Sequence, residues 1–293
     1  IGTMAATAAA AKLIGLQVQQ LQMALGIAAS MAGGLAAQGG TMTKPLHSGL
    51  AARNGVIAAH LAAEGFTANN SVLDDRRGYY EAFFGDSLDL EKALECLGQP
   101  YHLLSPGIGV KMYPSGWRLH HSFEATLAIV VQYDIKPEQV KGVEIGVPHE
   151  HYFNRGEILW GLAGKFSLQY HVAMAILDRR LTIESFSDER ALAPDAQALL
   201  HHIAVRVDPS IPEAADKVFT PVTISLQDGR TFTHQVQLPR GHWLNQATPY
   251  EVEAKFISNA RRAVSDDRLR LIKDIIDRLE DLESLGELSQ ALA

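Results

Sequence analysis

The sequence predicts an α+β protein of two domains, an all-α helical domain and a smaller α+β domain with a mostly antiparallel sheet. Residues 1–97 carry alanine-rich helical patterns throughout, whereas residues 101–245 alternate short strand patterns with helical ones. From residue 249 onward the pattern is helical again. With 293 residues and 47% hydrophobic content, the chain is long enough to build two domains.

These changes of pattern define three segments. Residues 1–100 form the predicted helical domain, residues 101–245 the α+β domain, and residues 246–293 a set of C-terminal helices. The first boundary is placed where the composition changes, at Gln99 and Pro100.

The helical domain is predicted to contain helices that glycines separate. Residues 4–16 and 21–37 form two alanine-rich helices, divided near Gly15 and followed by Gly39 and Gly40. A third helix runs from about residue 45 to residue 64 and stops at Gly65, because glycine is preferred just beyond a helix C-terminus. Residues 77–84 and 88–97 are shorter helical candidates.

The α+β domain carries strand signals between helical ones. Residues 140–149 alternate apolar and polar side chains, as a half-buried strand does. Residues 217–239 predict two strands joined at Asp228 and Gly229, which is a strong hairpin signal. Helices are expected over residues 120–131 and 166–179, and helices packed on a mostly antiparallel sheet make an α+β fold.

The C-terminal segment has a helical pattern with one apolar face. Ser265 precedes Asp266 and Asp267 and is the predicted N-cap of its main helix. The apolar stripe that follows consists of Leu269, Ile272, Ile275, Ile276, Leu279, Leu282 and Leu285.

Charge and cysteine content exclude several classes of protein. A net charge of −7 without a basic stripe argues against a nucleic-acid partner. Lys12 and several glutamines interrupt the apolar residues 1–37, so no run of about 18 apolar residues is available to span a membrane. The single cysteine, Cys96, excludes an internal disulfide and a cysteine-ligated iron–sulfur cluster, and it fits a reducing, cytoplasmic compartment.

Residues 42–66 open with charged groups at the start of a helix of small residues. Pro45 is expected at its first position, with Lys44 just before it and His47 within the first turn. Free backbone N–H groups at the positive end of a helix dipole attract an anion. The glycines and alanines that follow allow neighbouring helices to approach closely. The alternative is an ordinary packed helix with a solvated lysine.

Two further stretches contain groups that could carry out chemistry. Residues 109–125 place Lys111 before a Tyr-Pro turn and His120 at the start of a predicted helix. Residues 164–178 contain a Phe-Ser-Leu-x-Tyr pattern that ends at Tyr170. In this order and at these separations, the three stretches resemble the MmgE/PrpD family. Further matches are the Asp-Gly-Arg turn at 228–230, the Pro-Arg-Gly-His stretch at 239–242 and residues 253–256.

The resemblance implies an enzyme that needs no cofactor and acts on a small di- or tricarboxylate. Reactions of the family include 2-methylcitrate dehydration, cis-aconitate decarboxylation and iminodisuccinate epimerisation. Dehydration is the first expectation, epimerisation the next, and decarboxylation stays open. The resemblance also implies a homodimer formed through the helical domain, and C-terminal helices that return to that domain. A non-catalytic protein with the family fold is the alternative from another class.

These reactions share a demand for positive charge next to a carboxylate. Removing a proton from the carbon alpha to a carboxylate creates a dianion, which cationic side chains must stabilise when no metal is present. Lys44 and Lys111 match active-site lysines of the family, one in each predicted domain, so a substrate in the cleft between them would meet both. His47 is a further candidate for substrate binding.

Proton transfer is assigned by the resemblance to His120 and Tyr170. Tyr170 could donate a hydrogen bond or a proton through its hydroxyl, or it could simply pack between a helix and the sheet. The residues between the Tyr-Pro turn and His120 depart from the family pattern, because Gly116 and Trp117 stand where small residues are usual. Trp117 therefore bears on which substrate fits.

Other motifs favour no metal and no cofactor. His149, Glu150 and His151 offer a chelating pair, yet no third ligand follows at a convincing spacing. The Gly-Gly pairs lack the context of a nucleotide-binding loop, and no Gly-x-Ser-x-Gly elbow is present.

The first residues read as a helix already in progress. Ile1 is followed by small and apolar residues without an N-cap signal. Because members of the resembled family are considerably longer, we expect the sequence to be trimmed at its N-terminus. Acidic and histidine residues that the family contributes to the site would then lie upstream.

Overall fold

A computed structural model describes residues 1–85, 89–95, 97–149, 153–212 and 217–293. The chain divides into two compact units. The first contains Ile1–Ser105, Glu157–Ser167 and Phe186–Ala193, and the second contains Pro106–Gly156, Leu168–Ser185 and Pro194–Ala293. A helical unit and a unit with a small sheet confirm the predicted α+β class. Residues 246–293 group with the second unit, and their return to the helical domain stays a prediction.

The described elements follow one another along the chain as a run of helices, then mixed helices and strands, then helices. In order they are α1 (Gly2–Leu13), α2 (Val18–Met31), α3 (Thr43–Ala63), α4 (Tyr79–Phe84), α5 (Leu90–Leu94), α6 (Leu119–Gln132), β1 (Val140–Val147), α7 (Leu168–Leu177), α8 (Asp188–Ala191), α9 (Pro194–Leu200), β2 (Ile203–Val207), β3 (Thr220–Leu226), β4 (Thr231–Val236), α10 (Pro249–Ala260), α11 (Asp266–Asp277) and α12 (Gly286–Leu292).

In the first unit, α1, α2 and α3 pack together through small side chains. Their shared core consists of Ala24, Ile27, Ala28, Ala58 and Ala62. The close approach that the sequence predicted is confirmed at Gly55, where an added Cβ would lie 2.5 Å from the Ala6 Cβ and 2.6 Å from the Thr7 backbone nitrogen. Glycine is therefore needed at this crossing for steric reasons.

Two helix boundaries in this unit differ from the prediction. Helix α3 begins at Thr43, so Pro45 is its third residue and not its first. Proline is tolerated there because none of the first four helical N–H groups has a partner within the helix. Helix α2 ends at Met31, six residues before the expected position.

The second unit is built on a four-stranded mixed sheet with the order β2-β1-β3-β4. Strand β1 pairs antiparallel with β3, and β3 pairs antiparallel with β4. The β3–β4 hairpin is the one predicted, and Gly229 takes the positive φ of 90° that its turn requires. The parallel strand β2 on β1 was not predicted. Its sequence, Ile-Ala-Val-Arg-Val, is short, and no tight turn connects it to the strand with which it pairs.

Helices α6 and α7 cover the sheet and bury most of their residues. Leu119, Phe123 and Ile129 of α6 are buried, and so is every residue of α7 from Leu168 to Ile176. A helix that is apolar on all sides belongs in a core. The predicted helices 120–131 and 166–179 are therefore confirmed, and their first turns lie inside the unit.

The C-terminal helices carry the predicted cap at Ser265 and a second one that was not predicted. The Ser265 hydroxyl accepts a hydrogen bond from the Arg268 N–H, and Thr248 forms a capping box with Glu251 at the start of α10. Leu269, Ile272 and Ile275 are buried as predicted. Beyond these residues only Leu282 packs against the same cluster. Helix α11 ends at Asp277, and the other predicted members Ile276, Leu279 and Leu285 are exposed.

No helix in the described part of the chain is both long enough and apolar enough to cross a membrane.

The Gly55 crossing yields a test with a control in the same helix. We expect Gly55→Ala to lower the free energy of unfolding by about 1–3 kcal/mol, because the methyl group collides with the backbone of α1. Gly49→Ala, whose Cβ would meet nothing within 4 Å, should be neutral or stabilising by up to about 1 kcal/mol. Urea unfolding of the three proteins measures both values, and equal effects would contradict the packing.

Candidate functional site

The five predicted site residues fall in different units. Lys44 and His47 lie in the first unit, and Lys111, His120 and Tyr170 lie in the second. Each group is described within its own unit.

In the first unit, Lys44 and His47 stand on the first turn of α3. The Lys44 side chain is exposed. The Lys44 N–H donates to the Thr41 carbonyl at 3.2 Å, so the expected ring of free N–H groups has lost this donor to the turn before the helix. His47 lines a cavity of about 290 Å³ together with Asn54 and Gly34. An added Cβ on Gly34 would lie 3.1 Å from the His47 Nδ1, which places the imidazole against this glycine.

In the second unit, Lys111 lies close to a second ammonium group that the sequence did not single out. Partial desolvation lowers the pKa of Lys111, and the positive charge of Lys255 on α10 lowers it further. Within the described ranges, neither lysine has a carboxylate partner. Two uncompensated cations in one place favour the binding of an anion.

His120 is fully buried, as the second residue of α6. Its ring lies edge-on to Tyr113 with 5.0 Å between centroids, and 5.2 Å from the Trp117 ring. Neither ring nitrogen makes a hydrogen bond of normal geometry to a described residue. Burial lowers the pKa of His120 to about 3, with further contributions from His171 and Lys111. The imidazole is therefore neutral near pH 7.

Two further buried histidines lie near His120 or near its neighbour Trp117. His171 on α7 and His242 in the segment after β4 are buried, and Trp117 stacks on His242 with 6.0 Å between centroids. The His242 Nδ1 accepts the Leu244 N–H at 3.1 Å. His242 ends the Pro-Arg-Gly-His motif and His171 follows Tyr170, but nothing in either pattern predicts that His171 lies near His120 or that His242 stacks on Trp117.

A half-buried carboxylate connects the neighbouring segments. Glu124 on α6 accepts the Arg240 backbone N–H at 2.9 and 3.0 Å. The Tyr113 hydroxyl also donates to this carboxylate, and both burial and the Glu124 charge raise the pKa of Tyr113. Burial raises the pKa of Glu124 itself. The Arg240 Nε donates to Glu251 of α10 at 2.9 Å.

The segment that carries Lys111 is fixed to the same place through its backbone. The Val110 N–H donates to the Gly241 carbonyl at 2.7 Å. Gly241 has a φ of 87°, and an added Cβ would lie 2.0 Å from the Val110 oxygen. Only glycine fits here, both for its conformation and for the space available.

Tyr170 is completely buried, and its hydroxyl donates to the Ser185 carbonyl. Since this hydrogen bond occupies the donor, the tyrosine anchors α7 to the 184–186 turn. This contact agrees with the alternative that Tyr170 is a packed structural residue. A role of Tyr170 in catalysis stays a prediction.

A cavity of about 310 Å³ lies in the second unit next to the Lys111 segment. It is lined by Met112, Pro114, residues 181–184 and one face of α10, including Lys255. Sequence reasoning missed Lys255 as a site residue, although residues 253–256 carried one of the family matches.

Of the possible metal-chelating residues His149, Glu150 and His151, the structure describes only His149. Glu150 and His151 lie outside the described residues, and so does Cys96. Among the described residues, no three potential ligands come together in a metal-binding cluster.

The burial of His120 predicts a pH dependence of stability. The unfolded state binds a proton below about pH 6.5, whereas the folded state does not until about pH 3, so stability present above pH 6.5 is lost as the pH falls. We expect the free energy of unfolding to drop by about 2 kcal/mol between pH 7.5 and 5 on account of this residue. His120→Phe should flatten the profile.

Urea unfolding at four pH values measures this effect. The exposed His201 provides the control, since His201→Gln should leave the slope unchanged. A His120→Phe profile as steep as that of the parent protein would contradict the buried neutral state.

Comparison with known proteins gives two family matches and a set of relatives. The MmgE/PrpD N-terminal domain matches residues 1–91, and the MmgE/PrpD C-terminal domain matches residues 113–281. Cis-aconitate decarboxylase of Mus musculus is 29% identical over 304 residues, and that of Homo sapiens is 30% identical over 298 residues. Both alignments cover 100% of this chain and 61% of the relative.

A fungal relative gives the same picture. Cis-aconitate decarboxylase of Aspergillus terreus is 28% identical over 315 residues, which cover 98% of this chain and 63% of the relative. The chain thus spans about three fifths of the length of these relatives. Since one family domain alone matches more than half of the chain and a second matches its beginning, the chain belongs to the MmgE/PrpD family.

Proposed function

We propose that the protein is a lyase that acts on a small di- or tricarboxylate without a cofactor. The observation that carries the proposal is the pair of lysines Lys111 and Lys255, which lack carboxylate partners in the described structure. The charge of Lys111 in turn acts on the buried neutral His120. The relatives named cis-aconitate decarboxylase support the same substrate class.

Among the family reactions, the relatives favour decarboxylation over the dehydration expected first from the sequence. In decarboxylation the bond between a carbon and its carboxylate breaks, and the electron pair stays on the carbon as carbon dioxide leaves. A proton then adds to that carbon. Dehydration and epimerisation of an amino-dicarboxylate remain alternatives, and both also pass through negative charge next to a carboxylate.

The assigned roles follow from the charge of each side chain. Lys44 and Lys111 bind substrate carboxylates and stabilise the developing negative charge, and His47 assists binding. His120 is the proposed proton-transfer group. A carboxylate bound nearby raises the pKa of the imidazole, because opposite charges favour the protonated form. Permanent positive charge therefore comes from the lysines, and the histidine takes up and returns a proton.

The alternative class is a non-catalytic protein with the family fold. Turnover of tricarboxylates and amino-dicarboxylates, followed by proton NMR in the full-length protein, separates the two. No conversion of any member of this panel would favour the non-catalytic alternative. A cytoplasmic location and the absence of a nucleic-acid partner stay predictions.

Lys44 is tested by removing its charge while keeping most of its bulk. A hydrogen bond to a charged group contributes roughly 1.5–3 kcal/mol. We therefore expect Lys44→Met to lower kcat/KM by about tenfold to a hundredfold or more, with little change in Tm. Steady-state kinetics in the full-length protein measure the loss.

Lys12→Met is the matched control, because Lys12 is an exposed lysine of α1 in the same unit. Its kinetics should equal those of the parent. A Lys44→Met protein with unchanged kinetics and a lowered Tm would assign Lys44 a structural role instead.

Turnover should survive removal of metal ions. The proposed charge stabilisation uses lysines alone, so dialysis against EDTA should leave kcat/KM unchanged. Loss of activity that returns when a metal ion is added back would refute a cofactor-independent reaction.

Homodimerisation through the helical domain is a proposal that the helices of the first unit motivate. Their exposed surface includes large apolar side chains such as Leu13, Val18 and Leu46. Sedimentation velocity at micromolar concentration should give the mass of a dimer, and a monomer would end this proposal.

A further inference from the structure

The cavity of about 310 Å³ in the second unit has the size and lining of a site for a small ligand. Its volume lies at the lower end of the roughly 300–1,000 Å³ typical of ligand pockets. One wall comes from Met112 and Pro114, directly after Lys111, and another from α10. Ser258 and Asn259 add uncharged hydrogen-bonding groups.

The charges that line this cavity are balanced except at one residue. Glu184 pairs with Arg262, and Glu251 pairs with Arg240. Lys255 also lines the cavity and, within the described ranges, has no carboxylate partner. The cavity therefore carries one uncompensated positive charge.

Lys111 directly precedes Met112, which lines the same cavity as Lys255. The two groups interact strongly enough for Lys255 to lower the pKa of Lys111. Holding two like charges together is unfavourable, and an anion bound to both removes that cost. A ligand with a carboxylate for each lysine matches the arrangement better than a ligand with one.

We propose that Lys255 is a substrate-binding residue that determines specificity, taking a second carboxylate of the ligand beside the one held by Lys111. The proposal rests on the proposed function and extends it, since it specifies a substrate with at least two carboxylates. The remainder of the ligand fits against Met112 and Pro114, and Ser258 and Asn259 can donate hydrogen bonds to it.

The test measures binding separately from turnover. Tricarballylate, a saturated tricarboxylate, is the probe, and isothermal titration calorimetry gives its Kd. We expect Lys255→Met to raise the Kd about 10- to 100-fold, as the loss of a hydrogen bond between charged groups does. Lys255→Arg, which keeps the charge, should restore most of the affinity. A merely structural lysine would not show this dependence on charge.

Lys273→Met is the control variant. Lys273 lies on the neighbouring helix α11, where it pairs with Asp277 and Glu253, and it does not line the cavity. Its Kd should equal that of the parent protein. Thermal unfolding of each variant checks that the fold is retained.

The outcomes separate the inference from the proposed function. Unchanged affinity in Lys255→Met overturns the inference, even if the parent converts a tricarboxylate. Weakened binding with no conversion of any tested carboxylate by the parent supports the inference and refutes the proposed lyase activity. A parent protein that binds no tricarballylate, and no dicarboxylate in the same titration, overturns both.

Discussion

The second unit depends on the hydrogen bonds that the half-buried Glu124 carboxylate accepts. This carboxylate receives the Arg240 backbone N–H and the Tyr113 hydroxyl, while the Arg240 side chain holds Glu251 of α10. Four separate parts of the chain meet there: the Tyr-Pro turn, α6, the segment after β4, and α10. Removing one of these donors would leave the half-buried carboxylate without one of its hydrogen bonds, which is destabilising. The position of Lys111, His120 and Lys255 follows from this junction.

The electrostatics around the junction follow a consistent pattern. The chain as a whole carries a net charge of −7, yet its carboxylates near the cavity are matched by arginines. Lys111 and Lys255 have no carboxylate partner in the part of the chain that the structure describes, and burial keeps His120 neutral near Lys111. In the proposed function, the neutral imidazole adds no third positive charge beside the lysines, and it would gain proton affinity when an anion binds. Under that proposal, charge binding belongs to the lysines and proton transfer to the histidine.

The first unit obeys a steric constraint. Small residues let α1 and α3 approach until Gly55 meets the backbone of Thr7, and the core of this unit is mostly alanine. Such helices gain stability from close contact along their length, since each side chain buries little surface. At one end of α3, the His47 ring packs against Gly34, which has no side chain.

The sequence by itself determined the fold class, the β3–β4 hairpin, the helices α3, α6 and α7, and the family, because these depend on local periodicity, turn residues and ordered motifs. Tertiary structure decided the parallel strand β2, whose partner is distant in the chain, and the end of the α11 stripe. It also decided which groups meet. His171 approaches the predicted His120, Lys255 acts on Lys111, and His242 stacks on Trp117 only after α7, α10 and the segment beyond β4 have packed. No local pattern encodes those contacts. Tyr170, chosen by its motif, makes a buried hydrogen bond to Ser185 for the same reason: the partner of a side chain is set by packing.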